Sequence, residues 1–382
     1  MHVGLNLIFL VPGETGGMET AARELVPELL RAQPDWQFTA FVNREAQEKG
    51  LDWLAGCEQV TVPVAATSRV QWTRGEQLLL PRLAERAGVD LVHSLANTAP
   101  ARGGSFRRVV TIHDLIHRVH PDAHSRARAA GLRWLVALGA RRSDLVIADS
   151  RSTRDDVVHL LGIDPERVEV VPLGVGMSAA AEPTPAPELR ERLGLGDRTV
   201  ALTLSAHRPH KNLMRLLDAL ATFPAEERPV LVAPGYPTGY EVELESHAAQ
   251  LGIADDIRLP DWLSDAEIEG LYALARVFVF PSLYEGFGLP VLEAMCRGVP
   301  VACSNASSLP EVAGDAALLF DPGDTGQIAA AIRRLLSDRE LAAQLAARGK
   351  EQCARFSWKA SAEGTIGAYK RALALGDTSK AR

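Results

Sequence analysis

Short apolar runs alternate along the chain with stretches of helical periodicity. Runs at 2–11, 37–42, 89–93, 108–113, 144–149 and 168–171 have the length and the β-branched content of strands. After the first of them, Met18, Ala21, Ala22, Leu25, Val26, Leu29 and Leu30 recur at the 3.6-residue period. They predict a helix over 18–31 with one buried stripe, kinked at Pro27. Strand, helix, strand repetition implies a parallel sheet. The pattern lapses at 178–188, where three prolines and no periodicity predict an interdomain linker. It resumes with strands at 199–205, 229–233, 257–259 and 277–280 and helices from Lys211 and over 241–251. Ser264 and Glu267 have the spacing of a capping box that opens a further helix. The expected architecture is α/β: two Rossmann-like doubly wound domains facing a central cleft, over 1–175 and 197–359, joined by a linker at 176–196. Ligands of such sheets lie beyond the C-terminal ends of the strands.

The length of 382 residues agrees with two domains, and 47% hydrophobic with 23% charged residues excludes disordered and fibrous classes. A net charge of -7 gives no reason to expect a nucleic-acid partner. The total is uneven, however. Residues 101–142 hold Arg102, Arg107, Arg108, Arg118, Arg126, Arg128, Arg133, Arg141 and Arg142 against Asp114 and Asp122. Three readings of this stretch stand: a solvated face, a site for an anionic acceptor, or peripheral contact with an anionic membrane. Cys57, Cys296, Cys303 and Cys353 form neither a CxxC pair nor a disulfide framework, so reduced thiols in the cytoplasm are expected. The first residues read as a strand rather than a signal peptide, and no apolar run reaches the 18 or so residues a membrane span needs.

Three segments are suited to phosphate. Gly13, Gly16 and Gly17 lie between the first strand and its helix, where backbone N–H groups can meet an anion or merely make a tight turn. Their spacing is not that of a dinucleotide fingerprint, and Asn43 stands where a nicotinamide site needs an acidic residue. Arg208 and Lys211 follow the strand at 199–205, and Lys211 is the one lysine between positions 50 and 349. Both cations can reach phosphate oxygens. Finally, the strand at 277–280 runs into a loop with Glu285, Gly286, Phe287, Gly288 and Leu289, followed by Pro290 at a helix start. Glu285 and Glu293 bracket that helix start, and a carboxylate accepts two hydrogen bonds from a vicinal diol.

These segments together resemble a retaining glycosyltransferase of the family-four group with the GT-B fold. The resemblance is carried by Gly16-Gly17-Met18-Glu19, Ile112-His113-Asp114, the run from Ala148-Asp149-Ser150 to Gly174-Val175, and Arg208-Pro209-His210-Lys211-Asn212. Most specific is Glu285 to Glu293, the family's E-x7-E motif. The resemblance implies that Glu293 holds the donor ribose and Glu285 the donor sugar, with the backbone at Phe287, Gly288 and Leu289 against sugar and phosphate. Arg208 and Lys211 would stabilise the leaving diphosphate, and Gly16 and Gly17 would approach it from the N-terminal domain. His113 would sit beside the donor sugar, facing the acceptor. The family often has an arginine five or six residues before the lysine, where this chain has Ser205 and Ala206, and a hinge aspartate where this chain has Gly176. A last helix, 360–382, would pack back on the first domain.

The chain contains no Asp-x-Asp, so neither a metal nor any cofactor is expected, and the reaction needs no protein nucleophile. The expected partners are a nucleotide-sugar donor and a saccharide, lipid-linked or small-molecule acceptor. The wording around Lys211 and His113-Asp114-Leu115-Ile116-His117 resembles mannosyl and rhamnosyl enzymes, with GDP-mannose or a UDP or dTDP hexose as donor. A nucleotide-sugar 2-epimerase of the same fold and a non-catalytic sensor are the alternatives.

Overall fold

The computed structural model describes residues 1–120, 126–175, 181–236, 238–261 and 263–380, with the backbone only for 126–130 and 376–380. Asp122, Gly176 and the first residues of the expected linker lie outside the described residues, as do the side chains of Arg126 and Arg128. The chain divides into two compact units: Met1–Gly174 with Phe356–Arg382, and Val175–Arg355.

The first unit is built on seven strands: β1 (His2–Leu7), β2 (Gln37–Val42), β3 (Glu58–Thr61), β4 (Leu91–Ser94), β5 (Arg107–Ile112), β6 (Leu145–Ala148) and β7 (Val168–Val170). All neighbours are parallel, in the order β3-β2-β1-β4-β5-β6-β7. Because helices cover both faces, the strands are apolar almost throughout, and Leu5, Leu7, Phe41, Val109 and Ile112 are fully buried. The helix Gly17–Ala32 buries Ala21, Ala22, Leu25, Val26 and Leu29 of the predicted stripe, while Met18 and Leu30 are half-buried. It packs against the helix Trp358–Lys380, whose Ala362, Ile366 and Tyr369 are also buried.

The second unit holds β8 (Val200–Leu202), β9 (Val230–Val232), β10 (Ile257–Arg258), β11 (Ala275–Phe280), β12 (Val301–Ser304) and β13 (Ala317–Phe320), parallel in the order β10-β9-β8-β11-β12-β13. Leu216, Leu220, Val277, Val279, Phe320 and Ile332 form the centre of its core. In each sheet the strand order reverses once, between β1 and β4 and between β8 and β11. These are the points where the connections that follow two adjacent strands turn to opposite faces of the sheet, the usual place for a ligand in such folds.

Several expectations are corrected. Residues 186–192, expected to be linker, form the helix Ala186–Arg192, which starts after Pro185 and buries Leu189 against the helix Asp265–Leu274. A single buried leucine in seven residues makes no periodic signal. The helix expected from Lys211 starts instead at Leu213, because Asn212 adopts φ 59° and separates it from a 3-10 turn over Pro209–Lys211. Cys296 and Cys353, expected to be reduced, form a disulfide, with Cα atoms 5.4 Å apart. They are the last residues of the packed helices Leu289–Cys296 and Arg339–Cys353, a proximity that sequence spacing does not reveal. Cys57 and Cys303 remain thiols, and burial pushes both up to about 12. Among the described residues no helix is long and apolar enough to cross a membrane.

Candidate active site

The loops after β8 and β11 leave the second sheet side by side, because these two strands pair at the reversal of strand order, with Leu202 opposite Phe278. Backbone and side-chain bonds tie the loops together. Leu283 N–H donates to the His210 carbonyl at 2.8 Å, and the Asn212 amide donates to the carbonyls of Pro281 at 3.0 Å and Pro322 at 2.8 Å. The left-handed backbone of Asn212 turns its side chain to these carbonyls, a conformation asparagine tolerates better than most residues. Lys211 is carried into contact with the second loop. Its Nζ donates to Glu285 Oε1 at 2.6 Å and lies 5.6 Å from the centre of the Phe280 ring. Arg208, half-buried, heads the same turn.

The Glu285 loop is held from behind by two serines. The Glu285 N–H donates to Ser307 Oγ at 2.8 Å, and the Ser308 hydroxyl is shared by the carbonyls of Glu285 at 3.0 Å and Phe287 at 2.7 Å. Gly288 then caps the helix Leu289–Cys296 with φ 112°. A Cβ there would stand 2.6 Å from Leu309 Cδ2, so both backbone and space require glycine. Phe287 is buried and Leu289 half-buried.

Glu293 lies one turn into this helix. Tyr272, buried in the helix Asp265–Leu274, donates its hydroxyl to Glu293 Oε2 at 3.1 Å. Burial raises the pKa of Glu293, while Arg297 and the Tyr272 bond pull it down. Arg297 stacks over the Tyr272 ring at 4.6 Å and binds Glu269 through Nε at 2.7 Å. The tyrosine is thus fixed on its face and at its hydroxyl. Tyr272, Ser307 and Ser308 are absent from the sequence reading, since nothing local marks residues whose partners are remote in the chain.

In the first unit the Gly13–Gly17 loop follows β1. Gly16, with φ 65°, caps the helix Gly17–Ala32, and its carbonyl accepts from the N–H groups of Glu19 and Thr20. Glu19 reaches back from the first helical turn, and its two oxygens accept the Gly13 N–H at 3.0 and 2.9 Å. A carboxylate therefore already lies at this helix N-terminus, where an anion is favoured. A Cβ at Gly16 or Gly17 would meet nothing within 4 Å, so the requirement for glycine at 16 is its φ.

His113 stands just past the end of β5. Its Nδ1 is 2.6 Å from Asp149 Oδ2, its Nε2 is 2.9 Å from the Leu95 carbonyl, and its backbone N–H donates to Asn97 Oδ1. Two acceptors on the two ring nitrogens require both to carry protons. Burial works against that charge, but the Asp149 carboxylate, the two hydrogen bonds and Asp114 outweigh it and raise the pKa to about 9. The side chain is therefore a fixed imidazolium, not a free base.

Three of the arginines of 101–142 are engaged locally. Arg107 pairs with Asp144 at 3.1 Å, Arg118 donates to the Arg133 carbonyl at 3.0 Å, and Arg141 to the Leu161 carbonyl at 3.1 Å. Arg133, Arg142 and Trp134 are exposed on the helix Arg126–Arg142.

With this geometry in place, the comparisons with known proteins are specific. Residues 15–178 match the family model Glycosyltransferase Family 4, and residues 186–352 match Glycosyl transferases group 1. The O-antigen chain mannosyltransferase B of Escherichia coli is 34% identical over 268 residues, 69% of this chain and 70% of that protein. The chain belongs to the family-four group of glycosyltransferases with the GT-B fold, and it is a transferase. An MMP alpha-(1->4)-mannosyltransferase of Mycolicibacterium hassiacum is 34% identical over 245 residues, 62% of this chain and 56% of its relative. A D-inositol 3-phosphate glycosyltransferase of Thermobispora bispora is 33% identical over 315 residues, covering 79% and 69% of the two chains. Among solved structures, a sucrose-phosphate synthase from Thermosynechococcus elongatus superposes with a TM-score of 0.80 at 20% identity, covering 98% and 99% of the two chains. The Anabaena protein HepE in complex with UDP-glucose does so with 0.75 at 18% identity over the full length of both. These relatives are transferases and synthases, which does not favour an epimerase.

Proposed function

We propose that the protein transfers a hexosyl unit, with retention of configuration and without a metal ion, from a nucleoside-diphosphate sugar to an acceptor hydroxyl. The observation that carries this reading is the contact of Lys211 with Glu285 where the strand order of the second sheet reverses, at the head of the helix bearing Glu293. The ammonium and the carboxylate lie where a diphosphate and its sugar would each find one partner. Lys211 exchanges Glu285 for a phosphate oxygen when the donor binds, and Glu285 is then released to the sugar hydroxyls. Arg208 adds a second cation. Glu293, oriented by Tyr272, accepts from the ribose, while the backbone of Phe287, Gly288 and Leu289 borders the sugar and phosphate.

The acceptor hydroxyl attacks the anomeric carbon on the face from which the diphosphate leaves. The bond to the leaving oxygen breaks as the new bond forms, and the departing phosphate takes the acceptor's proton. Fixed cations stabilise the charge that develops on the leaving group. His113 contributes a fixed positive charge beside the sugar, and a general base on the protein is not needed. The absence of Asp-x-Asp supports a metal-free reaction. The two mannosyltransferase relatives favour a mannosyl donor, and GDP-mannose and UDP or dTDP hexoses are the candidates.

A thermal-shift panel of nucleoside diphosphates and their sugars tests the donor. GDP and GDP-mannose should raise the melting temperature, since a ligand of the native state at 100 times its Kd stabilises by about 2.7 kcal/mol. No shift with any member would overturn the nucleotide-sugar reading. Lys211→Ala should lower kcat by about 10²-fold or more while donor Kd changes far less, as expected for a group acting on the leaving charge. Unchanged turnover would remove Lys211 from that role.

A further inference from the structure

His113 bonds to Asp149, which directly follows β6 and is almost completely buried. One Asp149 oxygen, Oδ2, accepts from His113, while Oδ1 has no partner. A second buried polar atom without a partner, the indole Nε1 of Trp358, belongs to the first residue of the helix Trp358–Lys380. Both residues line one small cavity inside the first unit, of about 20 Å³, together with Thr111, His113, Ser361 and Thr365. That is room for one ordered water; Leu25, Leu95, Ile147, Val171 and Leu173 make the rest of the lining apolar, so the water's polar partners are the few groups named. An unpaired carboxylate oxygen and an unpaired indole N–H are each costly when buried, and a single water within reach of both would relieve both, accepting from Nε1 and donating to Oδ1.

We propose that Asp149 is the positioning residue for His113, and that Trp358 fixes Asp149 through one buried water. A second tie runs parallel to it. The Tyr369 hydroxyl meets His93 Nδ1 at 2.7 Å, and His93 Nε2 meets the hydroxyl of Thr111, another cavity-lining residue, at 2.8 Å. The helix Trp358–Lys380 thereby reaches the surroundings of His113 twice, once through Trp358 and once through Tyr369. The charged and titratable groups facing His113 are Asp149, just after β6, the adjacent Asp114, and His93 from β4. This inference rests on the reading of His113 as the group beside the transferred sugar, and its test is separable from that reading.

The test uses the full-length protein. In Asp149→Asn, of the same size, the His113 imidazole followed by NMR should titrate near or below the ordinary histidine value of about 6.5 instead of near 9. The kcat should fall by about tenfold to a hundredfold with donor KM little changed, the signature of a misplaced group. An His113 pKa that stays near 9 overturns the role of Asp149. For Trp358, the indole N–H should show a magnetisation-transfer contact with a bound water, lost in Asp149→Asn. Trp358→Phe should lower kcat in the same direction while remaining folded by circular dichroism. Absence of that water contact overturns the link through Trp358. The His113 titration is read on the protein itself, so full activity of His113→Ala would sink the transfer role of the histidine and leave its positioning by Asp149 standing.

Discussion

Tyr272 shows how a residue remote from the motif sets the properties of one inside it. Its hydroxyl occupies one oxygen of Glu293, so the other oxygen is oriented rather than free to rotate. Hydrogen bonds to charged groups contribute about 1.5–3 kcal/mol, so Tyr272→Phe should raise the donor KM about tenfold while kcat stays nearly constant. Calorimetry with the nucleoside diphosphate alone would check it, and equal affinity in both proteins would contradict it. At this scale the sequence shows which residues have suitable chemistry, because Glu285, Glu293 and Lys211 stand out by type and spacing. It does not show which residues hold them. Tyr272 lies 21 residues from Glu293, Ser307 22 from Glu285, and Asp149 36 from His113, and only the fold makes these pairs neighbours. Asp149 even falls within a run that carries the family resemblance, yet nothing in the sequence gives it a task.

At the scale of elements, the position of the helix Leu289–Cys296 depends on Gly288. The φ of 112° and the closeness of Leu309 both oppose a side chain. Gly288→Ala should cost more than about 1 kcal/mol of stability and weaken donor binding as the helix start shifts. Denaturant unfolding together with a nucleotide titration would measure both, and unchanged values would mean that the loop relaxes freely. Long periodic elements, such as the helix Gly17–Ala32, were legible because their apolar stripe repeats over four turns. The strands β3, β12 and β13 were missed, although strands as short, such as β4 and β6, were legible from their apolar runs; β3, with Glu58 and Gln59 exposed, carries no such run. The helix Ala186–Arg192 was hidden by the prolines around it, which mark a break in structure as readily as a helix start.

At the scale of the whole molecule, two buried histidines in the first unit give opposite pH dependences. His113, raised to about 9, stabilises the native state fully below the unfolded value near 6.5, and this contribution disappears as the pH rises through about 9. It is of the order of 3 kcal/mol. Burial, and then the charge of His113, push His93 down to about 3, so its native form is neutral. The stability that follows from it is present above about 6.5 and is lost as the pH falls toward 3. Thermal denaturation from pH 4 to 10 should therefore be highest near 6.5 and fall on both sides, with the alkaline decline flattened in Asp149→Asn. A melting temperature that keeps rising toward pH 9 would contradict the charge on His113.

The first unit is assembled from two segments far apart in the chain, with the whole of Val175–Arg355 between them. His93 and Tyr369 meet across 276 residues. During synthesis, the sheet from β1 to β7 must wait for the entire second unit to emerge before the helix Trp358–Lys380 can cover its exposed flank. The second unit, continuous in sequence, can fold first. The first unit, begun first, is therefore the one that can be completed only at the end of the chain, after the last helix has been made.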